Sequence, residues 1–207
     1  LSLIDTIKIG IDDHYLAEGD RPSLEKVPWS HQRVINKKSD VDNIHTIDRV
    51  SSEVLVSRGH YMCLAPVFIS DTEIRLDHFF LGRYDDEDGL KYGNDKNAFE
   101  EELKNWKLVF IFRAESVYHS SKEEFVKQHM LDTEYIADAT EDLDIQVFQI
   151  GVRTSKPTAF AITLGEGKVA VWEQTYGNRH YEGTFDPVAI FTYEELLDLV
   201  PNEKSVD

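Results

Sequence analysis

The chain has 207 residues, with 39 acids against 22 bases and a formal net charge of −17 at neutral pH. That length fits one domain able to bury roughly 70% of its unfolded surface without crosslinks or structural metal, and the charge opposes direct contact with nucleic-acid phosphates or anionic lipid. The single cysteine excludes an intramolecular disulfide and, with no run of 18 apolar residues, points to a soluble protein of a reducing, cytoplasmic compartment.

The opening Leu1–Ile7 is broken by Asp5, and Lys8 follows it, so it reads as neither a membrane span nor a signal sequence. Ile4–Ile11 is expected as a short strand, followed by turn residues Gly19-Asp20-Arg21-Pro22. The polar segment near residues 28–48 lacks a clear period and reads as a long loop with one short helix. Glu53–Val56 and Tyr61–Ser70 are β-rich, and Cys63 in Tyr61-Met62-Cys63-Leu64-Ala65 reads as buried and inert. Glu73–Leu81 alternates, and Ser70-Asp71-Thr72 before it predicts a hairpin.

The acidic segment near residues 84–96 reads as a loop delivering the chain into a helix from Asn97 to Asn105, with Asn97 and Glu100 spaced as a capping box. Lys107–Phe112 is a strand by its unbroken apolar run. Ser121-Lys122-Glu123-Glu124 opens a second helix to about Met130, with Phe125, Val126 and His129 sharing a face. Three strands follow at Ile145–Val152, Thr158–Leu164 and Lys168–Glu173, the last two joined tightly by Gly165-Glu166-Gly167. Thr192-Tyr193-Glu194-Glu195 caps a closing helix, with Pro201 as its stop. The sum is a single α+β domain over residues 1–207: a mainly antiparallel sheet with about three helices, in a single pair of layers.

Chemical motifs are sparse. Aligning Gly89 with the sixth position of a calcium loop puts Tyr84 first and Asp95 twelfth, where carboxylate ligands and a bidentate glutamate are required, so no metal site is assigned. Asp77 and His78 are adjacent, and on an extended strand they point to opposite faces. Glu166-Gly167-Lys168 has nuclease-like spacing but falls in a hairpin turn, and phosphate-loop, dinucleotide and serine-elbow patterns do not occur. No cofactor is implied.

Two features suggest binding. Residues 71–150 hold 20 acids and 9 bases, eleven of the seventeen excess charges. The run from Trp172 to Glu182 mixes aromatic and hydrogen-bonding side chains as binding hot spots do. The leading expectation is therefore an acidic protein that docks on a basic protein partner, such as an inhibitor or immunity protein, without direct nucleic-acid or membrane contact. Its contact residues would be Asp85, Asp86, Glu87 and Asp88 with Trp172, Tyr176, Arg179, His180 and Tyr181. The alternative is a metal-dependent hydrolase or nuclease using Asp77, Glu173 and His180. A third reading is an accessory subunit of an assembly.

Overall fold

The computed structural model describes residues 5–7, 32–35, 46–49, 51, 53–60, 63–85, 89–92, 96–114, 122–152, 160–165, 167–174 and 185–200. In chain order the strands before the first helix are β1 (Asp5–Ile7), β2 (Gln32–Ile35), β3 (Thr46–Asp48), β4 (Val54–His60), β5 (Ala65–Ile69), β6 (Glu73–Leu76), β7 (Gly82–Asp85) and β8 (Gly89–Tyr92). Then come α1 (Lys96–Asn105), β9 (Leu108–Ala114), α2 (Lys122–Thr140), β10 (Gln146–Val152), β11 (Phe160–Gly165), β12 (Lys168–Gln174), β13 (Phe185–Thr192) and α3 (Tyr193–Asp198). A six-stranded sheet has the order β1-β10-β9-β5-β6-β3, a five-stranded sheet the order β13-β12-β11-β4-β2, and β7 pairs with β8 alone. Pairing is mostly antiparallel, with β1–β10, β10–β9 and β2–β4 parallel. This is the expected α+β class.

Alternation along the central strands explains the layering. In β9, Leu108, Phe110 and Phe112 face the five-stranded sheet, packing with Phe160, Ile162 and Phe191, while Val109 and Ile111 face the helices. Both faces are buried, so β9 reads as an unbroken apolar run rather than an alternating one. On the helix side the same layer holds Phe99 and Leu103 of α1 and Ile136 of α2. The layers therefore number three, helices on a sheet on a sheet, where the sequence suggested one pair. Leu196 of α3 and Tyr193 close one edge of the core between the sheets.

The Ser70–Thr72 turn joins β5 and β6 as expected, with Ser70 N–H donating to the Glu73 carbonyl at 2.9 Å. The β11–β12 hairpin also forms, and Gly167 takes φ 72°, a conformation side chains other than glycine's resist. At Gly165 the constraint is space: an added Cβ would lie 2.9 Å from Val54 Cγ2 and 3.0 Å from the Glu53 carbonyl oxygen. Gly165→Ala is expected to cost about 1–3 kcal/mol in urea unfolding, because β4 and β11 must part to admit a methyl group. A cost near zero would mean that the hairpin shifts freely.

The Thr192 capping box is present in full, the Thr192 hydroxyl accepting from Glu195 N–H at 3.1 Å and the Glu195 carboxylate accepting from Thr192 N–H at 2.6 Å. The other box differs: α1 starts at Lys96, so Asn97 lies inside the helix and is not its cap. Ser121 lies outside the described residues. The second helix runs ten residues past Met130, to Thr140. Within residues 28–48 the backbone forms strands β2 and β3, and no helix is described there. Where the sequence suggested a loop over 84–96, β7 and β8 pair, with Tyr84 opposite Leu90 and Asp85 opposite Gly89. Cys63 is buried as expected, but it precedes β5 and is not in a strand. No helix among the described residues is long and apolar enough to cross a membrane.

Candidate functional site

Several acids of the middle third lie on α2 and just after it. Asp132, Ile136 and Thr140, spaced four apart, are buried against the sheet, and the Thr140 hydroxyl donates back to the Ile136 carbonyl at 2.8 Å. The opposite stripe, Met130, Glu134 and Asp138, is exposed, and Glu141, Asp142 and Asp144 extend it beyond the last turn. Met130, at 56% exposure, is the exposed large apolar side chain among the described residues. The backbone of β7 runs beside α2, so the β7–β8 hairpin neighbours this helix. Asp85 ends β7, and Asp86, Glu87 and Asp88 lie outside the described residues.

Some surface acids here are already neutralised. Lys104 donates to Glu101 at 2.6 Å, and the carboxylate holds the ammonium above its usual range. Lys107 donates to Asp144, whose carboxyl is held below the usual carboxylate range by that hydrogen bond and by the lysine's charge. Among the described residues, Glu134, Asp138, Glu141 and Asp142 have no Lys or Arg at ion-pair distance. The last turn of α2 also carries no basic residue, although the negative end of a helix dipole favours cations by about 0.3–1 kcal/mol each.

Of the residues of the hydrolase reading, Asp77 follows β6 of the six-stranded sheet and Glu173 lies on β12 of the five-stranded sheet, while His180 lies outside the described residues. Asp77 is 3% exposed and accepts from Arg75 Nε at 2.6 Å, and Arg75 reaches Glu102 of α1 at 3.2 Å, so this carboxylate is engaged on the helix side. Glu173 belongs to β12, in the five-stranded sheet beyond the core, in register with Phe160 and Asp186. Tyr176, Arg179, His180 and Tyr181 lie outside the described residues. Trp172 is 3% exposed, with its indole N–H donating to the Thr163 hydroxyl at 3.4 Å, so in this structure it is an interior residue rather than a surface anchor. Among the described residues no group of three His, Cys, Asp or Glu side chains could hold a metal ion.

A different polar cluster emerges between the sheets. Ser57 pairs with Ile162 and His60 with Phe160, so Arg58 and Gly59 together stand opposite Ala161 alone. Residues three apart on a regular strand face opposite ways; this β-bulge turns Ser57 and His60 to one side. Ser57 Oγ lies 2.7 Å from His60 Nε2 and 3.3 Å from His78 Nδ1. The two imidazoles stack at 3.9 Å between centroids, and Phe160 stacks on His60 at 5.0 Å. His78 thus parts from Asp77 as alternation requires. Ser57 and His60 escape a search for motifs, and the one signal for them is Gly59 within a β run, a mark of a bulge.

At the far end of the sandwich, a groove of about 430 Å³ is lined by Arg49, Asp71, Gly167, Lys168, Thr192, Tyr193 and Glu194. Arg49 is occupied there, donating to the carbonyls of Ser70 at 3.5 Å and Asp71 at 3.4 Å and lying 5.8 Å above the Tyr193 ring. Burial pushes the Tyr193 phenol far above its ordinary range, with the Arg49 charge countering only in part. The groove thus has a structural tie rather than a poised reactive group.

No protein-family model matches the chain, and no curated protein matches it closely enough to count as a relative.

Proposed function

We propose that this protein is an acidic docking protein that engages a basic protein partner, in the manner of an inhibitor or immunity protein, through the outer face of α2 and the adjoining β7–β8 hairpin. What carries the reading is that Glu134, Asp138, Glu141 and Asp142 have no Lys or Arg at ion-pair distance among the described residues, and that Asp138, Glu141 and Asp142 sit at the end of α2, where the helix dipole opposes them. Such a placement costs local stability, so a folded-state benefit does not account for it. A clustered field of one sign steers an oppositely charged partner and raises its association rate. The exposed Met130 offers an adaptable apolar contact beside that field.

The test compares two variants of equal net charge. One carries Glu134→Gln, Asp138→Asn, Glu141→Gln and Asp142→Asn; the other carries Asp48→Asn, Asp71→Asn, Glu73→Gln and Glu101→Gln, all exposed positions elsewhere. Each is immobilised and exposed to a panel of purified basic proteins, nucleases among them, at low salt and at about 0.15 M. The wild type is expected to bind a member of the panel with steep salt dependence, the α2 variant to associate at least about tenfold more slowly, and the control to match wild type. Equal slowing of both variants would mean that net charge alone, and not this face, drives binding.

A further inference from the structure

We propose that Ser57, His60 and His78 form an acid-sensitive latch between the two sheets, joining them while both rings are neutral and releasing them when either ring takes up a proton. Ser57 and His60 belong to β4 of the five-stranded sheet, and His78 follows β6 of the six-stranded sheet, so the cluster is a polar bridge across the core. Ser57 and His60 are fully buried and His78 is 8% exposed. A hydroxyl placed between two ring nitrogens donates its one proton to one ring and accepts N–H from the other. That exchange needs one of the facing nitrogens unprotonated. Protonating it ends the Ser57 donor bond and puts a cation 3.9 Å from the second ring, in a core that disfavours charge.

The surroundings point the same way. On β4, Arg58 occupies the bulge between Ser57 and His60. After β6, Asp77 accepts from Arg75 at 2.6 Å. On β11 the facing group is the Phe160 ring. Glu173 and Asp186 hold the next positions of that register row on β12 and β13, with Glu173 two strands and about 10 Å from β4.

In an unfolded chain histidine takes its proton below about pH 6.5. The latch disfavours that proton, so the unfolded state binds more protons below this pH, and folding is at full strength above it and weakens as pH falls. Each pH unit below it shifts the folding equilibrium by up to about tenfold per excluded proton.

The experiment is urea unfolding of the wild type and of His60→Gln/His78→Gln between about pH 7.5 and 5.5, with NMR titration of the imidazole ring carbons in the folded wild type. The chain's other six histidines are common to both proteins and cancel. The wild-type folding constant is expected to fall at least about tenfold more than the variant's between pH 6.5 and 5.5, with neither ring titrating in the folded state above about pH 5.5. Coincident slopes would overturn the latch. So would folded-state titration of both rings at about pH 6.5 or above, a reading that stands even where the variant does not fold.

Discussion

Asp132→Ala is expected to destabilise the protein by about 3–5 kcal/mol in urea unfolding, among the largest losses from a single substitution in the chain. Arg113 Nη2 donates to Asp132 Oδ2 at 2.8 Å, and both side chains are 5% exposed, so the pair sits almost wholly out of water between β9 and α2. Removing the carboxylate leaves a guanidinium in the interior without the countercharge that this distance provides. The wild-type pair need not be better than an apolar one: Arg113→Met combined with Asp132→Leu should recover most of the loss, since neither charge is then desolvated. A loss below about 1 kcal/mol for Asp132→Ala would mean that water reaches the pair and screens it. The consequence extends to function, because Asp132 anchors the helix whose opposite face carries Glu134 and Asp138.

Phe110→Ala should cost a similar amount, about 3–5 kcal/mol, by a different route. Phe110 is fully buried in the core between the sheets, and its ring stacks on Phe148 at 5.2 Å and 18°. Truncation removes transfer energy, leaves a cavity in a layer closed by strands on both sides, and loses an aromatic pair worth about 0.5–1.5 kcal/mol beyond its area. Phe110→Leu should cost markedly less. Equal costs for the two variants, measured by chemical unfolding, would show that the two sheets close over the void.

The sequence revealed most where the local rule and the tertiary setting agreed. The run Leu108-Val109-Phe110-Ile111-Phe112 reads as a buried strand and is one, and Thr192 and Glu195 read as a capping box and form both bonds. It failed where a distant residue overrides the local signal. The acids after Met130 argue against a continuing helix, but Arg113, nineteen positions from Asp132, neutralises the one that faces inward, and the rest point to solvent. The strands within residues 28–48 have four and three residues, too few to display a period, and their pairing partners supply the pattern. In the 84–96 segment, acidity masked a hairpin signal, four acids followed by Gly89 between Tyr84 and Leu90. Of the candidate sites, the acidic middle third was legible as charge but not as a face, because the packing of β7 beside α2 is a tertiary fact. The Ser57–His60–His78 cluster depends on a bulge and on two sheets meeting, and no spacing rule in one dimension encodes that.

The parallel pairing of β1 with β10 fixes an order of events during synthesis. Asp5 of β1 lies beside Phe148, and Phe110 of β9 lies beside Phe148 on its other side. While a ribosome is still translating the segment before Gln146, both strands have left or are leaving the exit tunnel without the strand that separates them. β9 then presents an open hydrogen-bonding edge with five consecutive apolar side chains, the type of edge that recruits other chains. Translational pausing in that interval, or truncation within it, should favour capture by chaperones or aggregation, and release should follow once β10 emerges and inserts between them.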